Sequence, residues 1–138
     1  MEVTALVLCD SDVIIEFLNR NEEVAEKIYE FGIHNICISA VSVNEVLLGA
    51  VNKIDFQRLN KWLSQFIIID ITTDISVEAR ELILTYGLSH KPSIPDMLIA
   101  ATALSLDIEL FTLNLSDFKF INHLRLIDHN IKPKRIGR

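Results

Sequence analysis

The chain has little from which to build a cross-linked or zinc-centred scaffold. Its only cysteines, Cys9 and Cys37, each end an apolar, strand-like run, and neither has ligand spacing to a second cysteine or a histidine partner nearby. That pattern argues against a disulfide framework and against a zinc site, and buried free thiols are expected instead. Long apolar runs are also missing. Hydrophobic side chains make up 50% of 138 residues, yet stretches such as 3–9 (broken by Thr4) and 66–69 fall far short of the roughly 20 residues a membrane-spanning helix needs. Met1-Glu2-Val3-Thr4 carries no basic leader, and the apolar run behind it ends in Cys-Asp-Ser-Asp, where an export signal would place small residues. A cytoplasmic protein without a membrane segment is expected. No linker or internal repeat interrupts the chain, and its length suits one buried core, so residues 1–138 are expected to form a single domain.

The net charge of −6 is unevenly spread. Residues 119–138 carry Lys119, Arg125, Lys132, Lys134, Arg135 and Arg138 against Asp128 alone, a net +5, which leaves the first 118 residues at −11. A basic tail over about 129–138 beside an acidic body would suit a polyanionic substrate held by its phosphates. A solvated tail accounts for the same charges.

Short β-branched runs alternate with amphipathic stretches, which predicts an α/β fold of βα units around a largely parallel sheet covered on both faces. Strands are expected at 5–9, 35–39, 66–71, 108–113 and 124–127. Helices are expected at 11–18, 22–31, 41–51, 56–65, about 74–86 and 94–106, with Gly32 capping the second and Gly87 ending the fifth. The last helix is almost wholly apolar after Asp96 and should pack deep against the sheet.

Four acids stand where apolar segments meet polar ones: Asp10, Glu45, Asp96 and Asp117. Asp10 closes the first strand and Asp117 follows the 108–113 strand after a short loop, and open α/β sheets carry their sites at the carboxyl ends of strands. If helix turns aim Glu45 and Asp96 at the same edge, four negative charges share one pocket, which is unfavourable unless a divalent cation neutralises them. Each acid also has an ordinary explanation. Asp10 suits a helix N-cap; Glu45 and Asp96 lie three residues after Ser42 and Ser93, as capping-box acids do; Asp117 suits a turn. A carboxylate fixed at a helix start is, equally, a ligand already aimed.

Taken together, these residues and their neighbours resemble the PIN-domain ribonucleases, and among them the VapC-like toxins of toxin–antitoxin pairs. Val7-Leu8-Cys9-Asp10-Ser11-Asp12-Val13-Ile14-Ile15 looks like that family's opening strand. The stretch Ile38-Ser39-Ala40-Val41-Ser42-Val43-Asn44-Glu45-Val46-Leu47-Leu48-Gly49-Ala50 is similar to the segment bearing its glutamate. Ile94-Pro95-Asp96-Met97-Leu98-Ile99-Ala100-Ala101-Thr102-Ala103 is the most specific match, an acid directly before a Leu-Ile-Ala-Ala helix. Thr112-Leu113-Asn114-Leu115-Ser116-Asp117-Phe118 is similar to its closing turn. The resemblance implies a three-layer α/β/α PIN-like domain with a short, mostly parallel central sheet. It implies Mg²⁺ or Mn²⁺ as cofactor, RNA as substrate, a cognate antitoxin protein as partner, and a homodimer. On that reading Asp10 and Asp96 are the main metal ligands. Glu45 acts through water or as base, Asp117 serves a second site, and Asp12 is an outside candidate. Ser11, Thr112 and Asn114 would fix these carboxylates by hydrogen bonds.

Two rivals remain at this stage. Cys9-Asp10-Ser11-Asp12-Val13 also resembles the Asp-x-Asp-x-Val opening of haloacid-dehalogenase-like phosphatases, with Asp10 as phosphoryl-accepting nucleophile; the chain lacks a convincing late lysine motif for that chemistry. A non-catalytic PIN-like module for RNA or protein binding is the other, against which retention of all four acids argues. His34, His90, His123 and His129 fall in expected loops or the tail, outside any motif, so they read as surface residues, although His90-Lys91 could touch phosphate. Trp62 and Phe66 read as packing residues.

Overall fold

Apolar side chains occupy successive positions of the first strand, the pattern of a strand covered from both sides. In the computed structural model, which describes residues 5–133, Val7–Cys9 (β1), Ile36–Ser39 (β2), Ile67–Ile69 (β3) and Glu109–Phe111 (β4) form one parallel sheet in the order β3-β2-β1-β4. Val7 pairs with Ile36 on one side and Glu109 on the other, so β1 lies inside the sheet. Alternation along the strands then feeds two cores. Val7, Cys9, Ile36, Ile38 and Phe111 meet Val13 and Ile14 of α1 (Ser11–Leu18), Val24 and Ile28 of α2 (Glu22–Phe31), Val43 and Val46 of α3 (Ala40–Leu48), and Leu59 and Leu63 of α4 (Lys53–Leu63). Leu8, Cys37 and Leu110 point the other way, toward Ile75, Ala79 and Leu82 of α5 (Thr73–His90) and Met97, Ile99 and Ala100 of α6 (Ile94–Leu106). This is the three-layer α/β/α arrangement.

Helix α6 is as deeply set as its composition requires, with Met97 and every residue from Ile99 to Ala103 buried. Cys9 and Cys37 are free and buried; burial pushes both thiols up, which leaves them unreactive. Among the described residues no helix is long and apolar enough to cross a membrane.

Several elements differ from expectation for local reasons. Helix α4 begins at Lys53 because Asn52 caps it, its side chain accepting the Asp55 N–H at 2.8 Å. Gly32 does cap α2, at φ +92°, but Gly87 does not end α5. That helix runs on to His90, and Lys91 takes the left-handed cap at φ 46°. The expected strand at 124–127 shrinks to one parallel bridge between Leu110 and Leu126. Strand β3 is the exposed edge, with Ile67 and Ile68 about two-fifths accessible.

Because all four strands run the same way, their carboxyl ends share one edge. The Asp10 N–H donates to the Phe111 carbonyl at 2.9 Å, carrying the β1–β4 ladder one residue past the strands. That bond places Asp10 beside Thr112.

Candidate active site

Asp10 is the N-cap of α1 and Asp12 sits in its first turn; both are almost fully buried, at 4% and 5% accessible. Asp10 Oδ1 accepts the Ser11 N–H at 2.8 Å and Oδ2 accepts the Thr112 hydroxyl at 2.9 Å. Asp12 Oδ1 takes the Val13 N–H at 2.7 Å, and Oδ2 takes the Leu113 N–H at 3.1 Å. The Thr112 hydroxyl in turn accepts the Asn114 N–H at 3.1 Å. Hence each carboxylate is tied once to its own helix start and once to the chain leaving β4.

The other three acids are more open. Glu45 is exposed on α3; Asp96 is half-buried in the first turn of α6; Asp117 is exposed at the end of a 3₁₀ turn, Leu115–Asp117. Ser93 caps α6, accepting the Asp96 N–H at 3.2 Å, so one arm of the expected capping box is formed. Glu45 is not a capping acid. The cap of α3 is Ser39, which accepts the Val41 N–H at 3.1 Å, while Ser42 is buried one turn later.

Electrostatics join the five acids into one system. Burial pushes the Asp10 carboxyl up to about 7, with repulsion from Asp12 next; the Thr112 and Ser11 hydrogen bonds oppose this, and Asp96 adds further repulsion. Partial burial raises Glu45, opposed by Ser11, with Asp96 adding repulsion. Partial burial also raises Asp96, opposed by Ser93, with Asp117 adding repulsion. Asp96 is therefore the common neighbour of Asp10, Glu45 and Asp117. Among the described residues no three such side chains stand close enough together to enclose a metal ion as arranged; the acids form a buried pair, Asp10 and Asp12, facing a solvated trio. The donor set nonetheless fits a hard divalent cation, being carboxylate oxygens supported by hydroxyls, with burial and like charge both favouring added positive charge.

A cleft of about 350 Å³ opens on the Asp96–Asp117 side, lined by His90, Lys91, Ser93, Asp96, Asp117 and Phe120 among others. His90 ends α5 and stacks on Phe120, with ring centroids 4.1 Å apart and planes 12° apart.

Asp12, an outside candidate from the sequence, is as deeply buried as Asp10, and its signal was its position two residues past Asp10 on the same helix start. Thr112 holds Asp10 as its place in the closing turn suggested. Asn114 donates its backbone N–H to the Thr112 hydroxyl and so bears on the carboxylates through Thr112. His129 departs most from expectation. Its Nε2 lies 2.7 Å from the Thr112 carbonyl, so it is no surface residue of a loose tail. The basic tail from Lys134 onward lies outside the described residues. Trp62 and Phe66 do pack, with rings 5.3 Å apart.

The family model described as PIN domain matches residues 7–122. Among solved structures, the chain is similar to a toxin–antitoxin complex from Klebsiella pneumoniae, 29% identical, covering 88% of this chain and 96% of that one at a TM-score of 0.75. It also resembles DNA-bound VapBC from Salmonella typhimurium, 22% identical, covering 90% and 98% at a TM-score of 0.76. A third likeness is to FitAcB from Neisseria gonorrhoeae, 23% identical, covering 89% and 97% at a TM-score of 0.73. The last two likenesses concern the fold. No curated protein matched the chain.

Proposed function

Because this chain belongs to the PIN-domain family, we propose that it is a Mg²⁺- or Mn²⁺-dependent endoribonuclease, the VapC-like toxin of a toxin–antitoxin pair. The observation that carries this reading is Asp10, a carboxylate 4% accessible at the carboxyl end of β1, with the Asp96 charge near enough to raise it further. A desolvated carboxylate with like-charged neighbours favours a bound cation. Asp10 and Asp96 would hold the ion, Glu45 would act through water or as base, and Asp117 would serve a second position. When bound, the ion neutralises charge on the scissile phosphate and makes water acidic enough to serve as nucleophile at neutral pH.

The chain's own residues do the rest. The Thr112 hydroxyl and Ser11 N–H aim Asp10, fixing where positive charge, and hence the phosphate, is held. Glu45, exposed and with its carboxyl raised by partial burial, would take a proton from the attacking water and line it up with phosphorus. Lys91, on the cleft rim, offers a cation to a neighbouring phosphate. Hydrolysis on this pattern leaves a 5′-phosphate and a 3′-hydroxyl. The phosphatase alternative loses its footing with the family match over residues 7–122.

The antitoxin partner is argued from the Klebsiella likeness and from a groove of about 550 Å³ lined by Phe17, Leu18, Tyr29 and Trp62 together with Arg20, Glu22 and Arg58, which suits an amphipathic segment. Exposed Leu84 and Leu88 on α5 support self-association as a homodimer. A single domain acting in the cytoplasm completes the reading.

The test is cleavage of an end-labelled structured RNA in Mg²⁺ or Mn²⁺, beside EDTA and Asp96→Asn at equal folded concentration. Loss of cleavage in both controls is expected. Cleavage that survives either control refutes a metal-carboxylate nuclease.

A further inference from the structure

His129 belongs to no motif, yet the chain brings it back onto the end of β4. Its ring stands edge-on to Phe111, centroids 5.4 Å apart, Nε2 lies 2.7 Å from the Thr112 carbonyl, and Nδ1 accepts the Ile131 N–H at 3.0 Å. A carbonyl can only accept, so Nε2 must carry a proton; a backbone N–H can only donate, so Nδ1 must offer its lone pair. The two contacts therefore fix the neutral, Nε2-protonated ring. The segment that carries His129 is itself fastened. The Leu110 N–H donates to the Arg125 carbonyl and the Ile127 N–H to the Leu110 carbonyl, each at 2.9 Å, while Ile127 and Ile131 are buried.

What His129 grips is mechanically connected to the acids. The Thr112 carbonyl and the Leu113 N–H belong to one planar peptide unit. On one side that unit accepts from His129; on the other its N–H donates to Asp12 Oδ2 at 3.1 Å. The hydroxyl of the same Thr112 donates to Asp10 Oδ2 at 2.9 Å. Turning the peptide plane would loosen the His129 and Asp12 bonds together, and shifting Thr112 would loosen Asp10. Polarisation runs the same way, because a carbonyl that accepts a strong bond makes its linked N–H a better donor.

We propose that His129 is a positioning residue of the nuclease site, holding the Thr112–Leu113 peptide so that Asp10, with Asp12 beside it, keeps its orientation toward a divalent cation. The C-terminal strap over 125–131 thereby becomes part of the ion-binding edge. This inference rests on the metal-dependent reading above.

The experiment compares the full chain with His129→Leu, which removes the donor, and His129→Gln, whose amide N–H can still reach the Thr112 carbonyl. Mn²⁺ affinity is read by titration calorimetry, folding by thermal melts in EDTA, and cleavage by kcat and KM on one RNA. His129→Leu is expected to weaken Mn²⁺ binding on the order of 10-fold or more, as loss of a ligand-orienting group does. It should lower kcat with KM little changed, and His129→Gln should recover most of both. Equal Mn²⁺ affinity in wild type and His129→Leu, or no recovery in His129→Gln when it melts like wild type, overturns the proposal. Should both variants unfold, nitrogen-15 NMR of the unmodified chain still decides. An Nε2-protonated ring whose resonances move as diamagnetic Mg²⁺ is titrated into the metal-free chain supports it; an Nδ1-protonated ring, or one indifferent to Mg²⁺, overturns it. Absence of Mn²⁺ binding by wild type would instead sink the metal reading, and this inference with it, whereas a normal wild-type titration matched by His129→Leu sinks the inference alone.

Discussion

Asp10 and Asp12 are 4% and 5% accessible and take bonds from Ser11, Thr112, Val13 and Leu113, whereas Glu45 and Asp117 are open to water and Asp96 is only half covered. On the proposed reading the two regions would divide the work of one site. The inner pair is fixed by backbone and hydroxyl donors at strand and helix ends, so it would set where a cation goes. The outer trio is more open to water, so it would close around the ion and phosphate that arrive. A site made only of inner acids would hold an ion too rigidly for phosphate to enter, and one made only of outer acids would hold it weakly.

The largest effect that separates the regions comes from Asp10→Asn beside Asp96→Asn. Both should reduce cleavage by more than about 100-fold, since removing a ligand exceeds the loss seen for a residue that merely orients one. Their effects on the metal-free protein should differ. Asp10→Asn relieves a buried carboxylate whose ionisation in the fold is disfavoured by roughly a few kcal/mol, more than the ~1–3 kcal/mol lost where the amide meets a former donor. Its Tm in EDTA near pH 8 should rise by a few degrees, while Asp96→Asn should stay close to wild type, as changes at open sites do. A lower Tm for Asp10→Asn would break the comparison, because Asp10 would then be a structural cap.

The next effect is a pH dependence. An unfolded aspartate loses its proton near 4, whereas burial and Asp12 hold the Asp10 carboxyl up to about 7. Between those values the folded chain binds more protons than the unfolded one, so this group's contribution to stability is complete below about 4 and disappears as pH rises through about 7. Thermal melts in EDTA should therefore show Tm falling between about pH 4 and 7 and levelling off above, and Mn²⁺ should flatten the fall by binding the ionised form. Asp10→Asn should remove most of the slope. A wild-type Tm that rises over this window would mean that the inner pair does not dominate.

Much of the fold was legible in the sequence because its signals are local. Short apolar runs marked β1 and β2, and the almost wholly apolar composition of residues 97–104 marked a buried helix. Errors arose where tertiary context overrode local chemistry. Gly87 looked like a helix end, yet packing against α6 carried α5 onward and left Lys91 to take the left-handed cap. In the site, the four acids stood out through their spacing against strand ends. Asp12 was harder to weigh, since residues two apart on a regular helix face different ways; only the start of α1 allows both carboxylates to face the chain leaving β4. His129 could not have been found from local pattern. Its partner lies 17 residues away, on a backbone carbonyl that carries no sequence identity.

The smallest predicted effect is at Asp117, and it probes how the outer trio communicates. Asp117 ends a short 3₁₀ turn anchored by the fully buried Phe118, so Asp117→Asn should leave Tm unchanged. Its charge reaches the site as repulsion that helps keep the Asp96 carboxyl above its ordinary value. Removing that charge lets Asp96 ionise at lower pH. The acid limb of the cleavage profile should therefore move to lower pH, while the maximal rate falls by about 10-fold or less, within the range for a supporting ligand. A pH–rate profile on one RNA substrate measures both. If the limb stays in place and only the maximum drops, Asp117 acts by holding substrate or ion directly. If the limb shifts, the outer acids tune one another before any substrate binds, as the inner pair already does through Asp12 and Asp10.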